Sequence, residues 1–315
     1  MTQRTLGHSG LHVSLVGLGC NNFGGRLDAH ASRKVIDKAI EAGITFFDTA
    51  DVYGNRGGSE TILGEVLGER RKHIVLATKF GNPMDDTQTL RGGSRRYILN
   101  AVDASLRRLK TDWIDLYQLH RPDPSTPIDE TLRALDDLVR SGKVRYIGAS
   151  NLASWKVVEA QWVTRELGTH RFISAQDEYS LLRRDAEREL IPALNAYRIG
   201  LLPYFPLANG LLTGKYRRGE ALPEHARLAK AANLAQRYLT ELNLAAVERL
   251  AHFAAEREHS LLELAFSWLA AQPTVSSIIA GATTPEQITQ NIAAANWKLT
   301  ADELAEIDRL TGPAQ

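Results

Sequence analysis

Apolar residues along this chain keep two rhythms in alternation. Short β-rich runs occupy residues 13–18, 44–47, 74–78, 114–119, 144–148, 172–175, 200–204 and 275–279. Between them apolar positions recur three and four apart, as Leu132, Leu135, Leu138 and Val139 do, which marks an amphipathic helix. Helices are read at 32–42, 59–67, 95–109 and 128–141. The first is expected to start on a capping Ser32 and to stop at Gly43, while Pro285 sits just inside the start of another. Ahead of the first run, "RTLGHSGLHVSL" predicts a small hairpin turning between Gly7 and Gly10. After the seventh, residues 208–233 are polar and rich in Arg, Lys and Gly, a length that predicts a lid or binding loop.

Eight strand-like runs separated by helices imply a parallel sheet, and eight is the number that closes a barrel. An open doubly wound sheet would announce Gly-x-Gly-x-x-Gly after its first strand. "GLGCNNFGG" places glycines at 17, 19, 24 and 25, which misses that spacing. The expectation is α/β, a single (β/α)8 TIM barrel over residues 1–315 with an N-terminal hairpin and extra helical segments near the C-terminus.

Composition narrows the partners. The apolar share of 43% is ample for one large core. A net charge of +1, from 38 basic and 37 acidic residues, marks no nucleic-acid partner. Cys20 is the one cysteine, so an intrachain disulfide and a four-thiolate metal site are excluded. The polar start "MTQRTLGHSG" has no signal-peptide core, and no run of 18 apolar residues predicts a membrane span. A cytoplasmic protein is expected. Nothing in the pattern sets an oligomeric state.

In such a barrel the active site lies at the C-terminal ends of the strands. Those ends carry Gly19-Cys20-Asn21-Asn22, then Asp48 with Asp51 and Tyr53, then Lys79 and His120. Ser150-Asn151, Gln176 with Tyr179, Tyr204-Phe205-Pro206 and Gly281-Ala282-Thr283-Thr284 follow. Asp48, Tyr53, Lys79 and His120 would surround one cavity, and their chemistry suits a proton relay. A phenol with a pKa near about 10 is a poor acid at neutral pH. A neighbouring ammonium stabilises the phenolate, a buried carboxylate keeps the ammonium charged, and a histidine donates a hydrogen bond to a carbonyl oxygen. Each has a plainer reading alone: a solvated Lys79, a satisfied core His120, a turn-capping Asp48. Four such coincidences at the strand ends of one barrel are a much weaker account.

"GLGCNNFGG", "GITFFDTADVYG", "IVLATKFG", "DLYQLHRPD", "VRYIGASNL", "AQDEYSLL", "FPLANGLLTGKY" and "IIAGATTPEQITQN" together resemble the aldo-keto reductases, in order and across nearly the whole chain. The resemblance implies hydride transfer between a nicotinamide and a carbonyl carbon. Tyr53 matches the family's general acid, Lys79 and Asp48 the pair that tunes it, and His120 the substrate-orienting residue. Ser150, Asn151 and Gln176 match the side chains that hold the carboxamide, and Tyr204 the aromatic that stacks on the ring. Residues 206–215, with Pro206, Leu207, Gly210, Leu211 and Lys215, match the loop that wraps the pyrophosphate. Residues 281–291, with Gly281, Thr283, Gln287 and Asn291, match the adenosine segment, while Gly19, Cys20, Asn21 and Asp48 frame the cofactor on the other side. There are departures: Phe205 stands where many relatives have Ser, and Asp177 where Asn is frequent. No Arg or Lys occurs in "GATTPEQITQN", where relatives that prefer a 2′-phosphate often place Arg. NADPH is favoured on family habit, with NADH the alternative.

Other readings are weaker. "NGLLTGKY" separates Gly210 from Gly214 by three residues rather than four and has Tyr216 where a magnesium-binding hydroxyl belongs, so it is not a P-loop. A metal-dependent hydrolase would use Asp48, His120 and Asp123, but "QLHRPD" offers one histidine where such barrels show two, and no metal is expected. The rival from another class is a nucleotide-bearing docking protein resembling potassium-channel β-subunits. The tetrad does not separate the two, whereas the lack of a long N-terminal extension favours an enzyme. Trp155, Trp162 and Trp268 are read as packing residues, Trp113 as packing at the far end of its strand. A short helical tail after Trp297 suggests an open pocket that accepts many aldehydes, aldoses and small ring aldehydes among them.

Overall fold

The computed structural model describes residues 1–223 and 226–311. An antiparallel hairpin, β1 (Gln3–Thr5) and β2 (His12–Ser14), precedes the barrel. The barrel strands are β3 (Val16–Gly19), β4 (Phe46–Asp48), β5 (Val75–Phe80), β6 (Ile114–Leu119), β7 (Val144–Ser150), β8 (Phe172–Gln176), β9 (Gly200–Leu201) and β10 (Ile278–Gly281). They pair in parallel in the order β10-β3-β4-β5-β6-β7-β8-β9. The ring closes between β9 and the approach to β10, where Leu201 N donates to Thr274 O (2.8 Å) and Ser276 N to Leu201 O (2.9 Å). The chain is thus an α/β barrel, with helices such as Arg95–Leu109 and Ile128–Arg140 laid outside it.

The two-residue period of the strands explains why the barrel has an apolar floor and a polar mouth. On β4 Phe46 points inward and Asp48 sits one layer above it. Ala77 and Lys79 repeat this on β5, Leu116 and Gln118 on β6. Phe46, Ala77 and Leu116 join Leu6, Val13, Ile173, Leu202 and Ile279 in one buried cluster that fills the lower barrel. The hairpin plugs that end. Gly7 has φ +56° there, and a β-carbon would stand 2.4 Å from Ile173 O, so only glycine fits. Arg4 fastens the plug by donating to Val275 O (2.7 Å).

Several expectations change at the boundaries. The run at 13–18 is divided: Val13 belongs to the hairpin, and the barrel strand starts at Val16. The first helix is Ala29–Glu41 and is capped by Asp28, whose carboxylate accepts from Ala31 N (2.8 Å). Ser32, the expected cap, lies buried within it, because Asp28 offers a charged cap one turn earlier. Residues 208–233 are not one open loop. They hold a tight turn at Ala208–Thr213 and the short helix Arg227–Lys230, with the helix Ala232–Tyr238 beginning at the end of the segment; Glu224 and His225 fall outside the described residues. Leu211, Leu212, Tyr216 and Leu228 anchor this segment in the core.

The tryptophans divide too. Trp268 is fully buried, but Trp155 and Trp162 are 61% and 56% exposed, each with a cation over its ring from Lys156 or Arg165. Helical spacing placed them on a helix without telling which face meets solvent. Trp113 is half-buried under Arg71, 4.7 Å from the ring centroid, and its indole donates to Asp115 Oδ1 (3.2 Å). No helix among the described residues is long and apolar enough to cross a membrane.

Candidate active site

The inward polar layer converges at the C-terminal mouth. Lys79 is wholly buried, and its ammonium donates to Asp48 Oδ2 (2.6 Å) and to the carbonyl oxygen of Thr49 (2.8 Å). The Tyr53 ring lies beside it, with its centroid 5.0 Å from the ammonium, and because Lys79 can only donate, the phenol's own O–H is left to donate elsewhere. Burial alone would lower the pKa of Lys79. Asp48 and Tyr53 outweigh it, and the ammonium is held above its ordinary value. The solvated reading of Lys79 does not survive this.

For Tyr53 the balance runs the other way. Dense protein around the ring pushes the phenol above its ordinary value, Lys79 pulls it down by less, and Asp48 adds to the rise. The ammonium therefore tempers the phenol instead of producing a net drop, as expected from charge alone. The ring packs edge-on against His120, with centroids 5.7 Å apart. Burial, Lys79 and Arg121 hold the His120 imidazole well below its ordinary pKa, so it is neutral at physiological pH.

Tyr53 reaches this place through a strained turn. Gly54, Asn55, Arg56 and Gly57 all have positive φ at the start of the element Tyr53–Leu67. Asn55 and Arg56 adopt a left-handed conformation that costs about 1–2 kcal/mol each. A β-carbon on Gly54 would meet Phe23 O at 2.4 Å, so the turn that aims the phenol needs glycine there.

Residues not anticipated from the sequence complete the layer. Gln118, fully buried on β6, donates to Asp48 Oδ1 at 3.3 Å beside Gln176 at 2.9 Å, so the carboxylate accepts from three side chains. Asn82 Nδ2 lies 2.9 Å from His120 Nδ1. The signal for Gln118 was an amide two residues ahead of His120 on the inward phase of its strand; for Asn82 no sequence spacing pointed to its partner.

Asp51 lies beneath the mouth, with Oδ1 unpartnered and Oδ2 accepting from the hydroxyl of Tyr97 (3.3 Å). Burial and the neighbouring Glu60 raise its carboxyl to about 8. Folded Asp51 therefore keeps a proton that the unfolded chain releases near about pH 4. Its contribution to stability is full below that value and lost as pH rises through about 8. Asp51→Asn should flatten the fall in stability across that interval by on the order of 5 kcal/mol, read from thermal unfolding at a series of pH values. An unchanged slope would mean that Asp51 ionises freely.

The expected cofactor contacts lie along the same rim. Gly19 pairs with Asp48 and with Gly281, which brings the ends of β3, β4 and β10 together. Asn21 faces Gly281 from the loop after β3: its Oδ1 would lie 3.4 Å from a β-carbon there. The Cys20 thiol is fully buried and donates to Leu18 O (3.5 Å), its N–H donates to Asp48 O (2.9 Å) and its carbonyl accepts from Ser59 Oγ (2.8 Å), so the residue is enclosed beneath the rim. Leu211 is likewise a core side chain. Ser150 donates to Gln176 O (2.8 Å), Asn151 Nδ2 to Ser150 Oγ (2.9 Å) and the Tyr204 hydroxyl to Asn151 Oδ1 (2.8 Å), which ties the proposed carboxamide holders into one network. Phe205, Ala208, Asn209 and Gly210 all have positive φ, so the loop containing Pro206 and Leu207 is tightly wound. Thr283 donates from backbone and hydroxyl to Gln287 Oε1, at 2.8 and 3.2 Å, and Asn291 is buried on the same helix, Pro285–Ala293. Asp123 is engaged by Gly93, Ser125 and Thr126, so it pins a turn.

Two features suit an anionic nucleotide. Lys215 and Arg227 carry no carboxylate ion pair among the described residues, although burial and the nearby Arg26 lower both pKa values. The amide of Asn209 has both Oδ1 and Nδ2 buried without a partner among the described residues. Arg227, over the Phe205 ring at 4.9 Å, was not anticipated, being far from any recognisable motif.

The aldo/keto reductase family model matches residues 15–311. An uncharacterized oxidoreductase of Bacillus subtilis, YrpG, is 38% identical over 98% of this chain and 95% of its own length. L-glyceraldehyde 3-phosphate reductase of Escherichia coli K12 is 35% identical over 98% of this chain and 92% of its own. A probable voltage-gated potassium channel subunit beta of Oryza sativa is 38% identical over 93% of this chain and 91% of its own. With a match of this extent around a barrel of this order, the chain belongs to the aldo/keto reductase family.

Proposed function

We propose that this protein is an oxidoreductase that interconverts aldehydes or ketones and alcohols with a nicotinamide cofactor. The observation that carries the reading is the Lys79 ammonium, buried, bonded to Asp48 Oδ2 at 2.6 Å and set 5.0 Å from the centre of the Tyr53 ring. It leaves the phenol proton aimed away from the ion pair, as a general acid requires. A bound reduced nicotinamide would supply the hydride. The protein's part in reduction is to seat the carbonyl oxygen between Tyr53 and neutral His120, which donate hydrogen bonds to it as negative charge grows. Tyr53 then gives up its proton, and Lys79, kept charged by Asp48, stabilises the resulting phenolate. In the oxidative direction the same groups run in reverse.

Ser150, Asn151, Gln176 and Tyr204 would hold the nicotinamide end, Lys215, Arg227 and Asn209 the phosphates, and Thr283, Gln287 and Asn291 the adenosine. No cation lies in the adenosine segment itself, so discrimination rests on hydroxyl and amide donors together with the N-terminus of the helix Pro285–Ala293. NADPH is the preferred cofactor in this reading, and NADH binds more weakly by about tenfold or less, since no guanidinium fork meets the 2′-phosphate. Fluorescence titration with each nucleotide measures the ratio, and an NADH affinity equal to or above that of NADPH would reverse the assignment.

Addition of an aldehyde panel to the same samples tests the reaction. Oxidation of the bound nucleotide supports the reductase, and no turnover with any aldehyde removes it. The similarity to channel β-subunits favours a second reading, in which the nucleotide is held for docking. Tight nucleotide binding, negligible turnover and a stoichiometric complex with a channel domain would establish that one.

A further inference from the structure

Neutral imidazole has one N–H and one lone pair, and a histidine that donates to a substrate needs the proton on the nitrogen that faces it. His120 is neutral because burial, Lys79 and Arg121 all disfavour a second proton, and Tyr53 packs on its ring. Which nitrogen carries the proton is therefore decided by what the other one meets. His120 Nδ1 meets Asn82 Nδ2 at 2.9 Å. An amide nitrogen only donates, so Nδ1 must accept. Nε2 makes no protein hydrogen bond among the described residues.

We infer that Asn82 is a positioning residue that fixes His120 as the Nε2–H tautomer and so keeps a donor toward the reacting oxygen. The two side chains are held in register by the barrel itself. His120 N donates to Phe80 O (2.8 Å), which couples the end of β6 to the end of β5, two residues before Asn82. Asn151 Nδ2 holds His120 O from the other side (3.1 Å). Gly81, with φ +111°, turns the chain after β5 so that Asn82 approaches the ring. The loop after this strand thus supplies the tautomer, as the strand itself supplies Lys79.

The catalytic consequence rests on the reductase reading; the tautomer does not. Nitrogen-15 NMR of imidazole-labelled protein, with His120 assigned by substitution, should show Nε2–H in the wild type. Asn82→Asp replaces the donor by an acceptor, so the proton should move to Nδ1. For carbonyl reduction near neutral pH, kcat should fall about 100-fold while nucleotide Kd is unchanged. Acidification should restore Asn82→Asp, because imidazolium donates from both nitrogens, and should not help Asn82→Ala, which lacks the carboxylate that favours protonation. Asn82→Ser, with a hydroxyl able to donate, should retain more activity than Asn82→Ala. Nδ1–H in the wild type, or a tautomer unmoved in Asn82→Asp, overturns the inference. A tautomer that follows residue 82 in a protein reducing no carbonyl upholds the assignment and rejects the reductase reading instead.

Discussion

Tyr53→Phe should lower carbonyl turnover by about 100- to 10,000-fold while nucleotide Kd stays within about twofold. Phenylalanine keeps the ring that packs edge-on against His120 and lies 5.0 Å from the Lys79 ammonium. Only the hydroxyl is lost, and with it the proton donor. Single-turnover kinetics with prebound nucleotide separate the chemical step from product release, and the loss should lie in the former. The acid must hold its proton across neutral pH, which burial of Tyr53 secures. Reduction should accordingly show no phenol limb until strongly alkaline conditions. Turnover in the variant equal to that of the wild type would remove Tyr53 from the mechanism and leave His120 as the donor.

The second large effect is on stability. Lys79 and Asp48 form an ion pair with almost no solvent contact, 2.6 Å apart. Removing one member leaves a buried uncompensated charge, which costs about 3–5 kcal/mol, whereas replacing both by uncharged groups of similar shape is near neutral. Lys79→Met should therefore lower unfolding stability by about that amount, and Lys79→Met combined with Asp48→Asn should recover most of it. In the double variant Gln118 and Gln176 still have an amide oxygen to donate to, so the layer stays hydrogen-bonded. Both variants should lack measurable turnover, since each loses the ammonium that steadies the phenolate. Denaturant unfolding monitored in parallel with activity reads both. Additive losses in the double variant would show that the two side chains are not coupled.

The nucleotide rim is a more graded case. Its side chains already bond to one another, as Asn151 does to Ser150 and Tyr204 to Asn151, so single substitutions there disturb a network instead of one contact. Arg227 differs, since it lies over Phe205 with no acidic partner among the described residues and is free to answer a phosphate.

How far the molecule could be read in advance follows from the range of each interaction. Strand order and helix alternation were legible because burial writes a period of two or 3.6 residues directly into the chain. The placement of Asp48, Lys79 and His120 at strand ends was legible for the same reason: each follows an apolar run, and a strand's exit from a barrel is a property of that run. The exceptions were local ties between alternatives of equal chemistry. Asp28 and Ser32 are both good caps one turn apart, and a charged acceptor at the earlier position won. Trp155 and Trp162 satisfy helical spacing on either face, and only neighbouring elements decide which face is covered.

What the sequence by itself determined is the barrel, its polar upper layer and the kinds of group in it. What the tertiary structure alone decided is who bonds to whom across strands that are distant in the chain. Gln118 on Asp48, Asn82 on His120, and Arg227 over Phe205 depend on closure of the ring, which brings together side chains from separate strands and loops. The direction of the Tyr53 shift belongs here as well, because desolvation is set by everything packed around the ring and the opposing pull of Lys79 by one neighbour. A residue's type and its strand are encoded locally; its hydrogen-bond partner and its dielectric surroundings exist only once the barrel has closed.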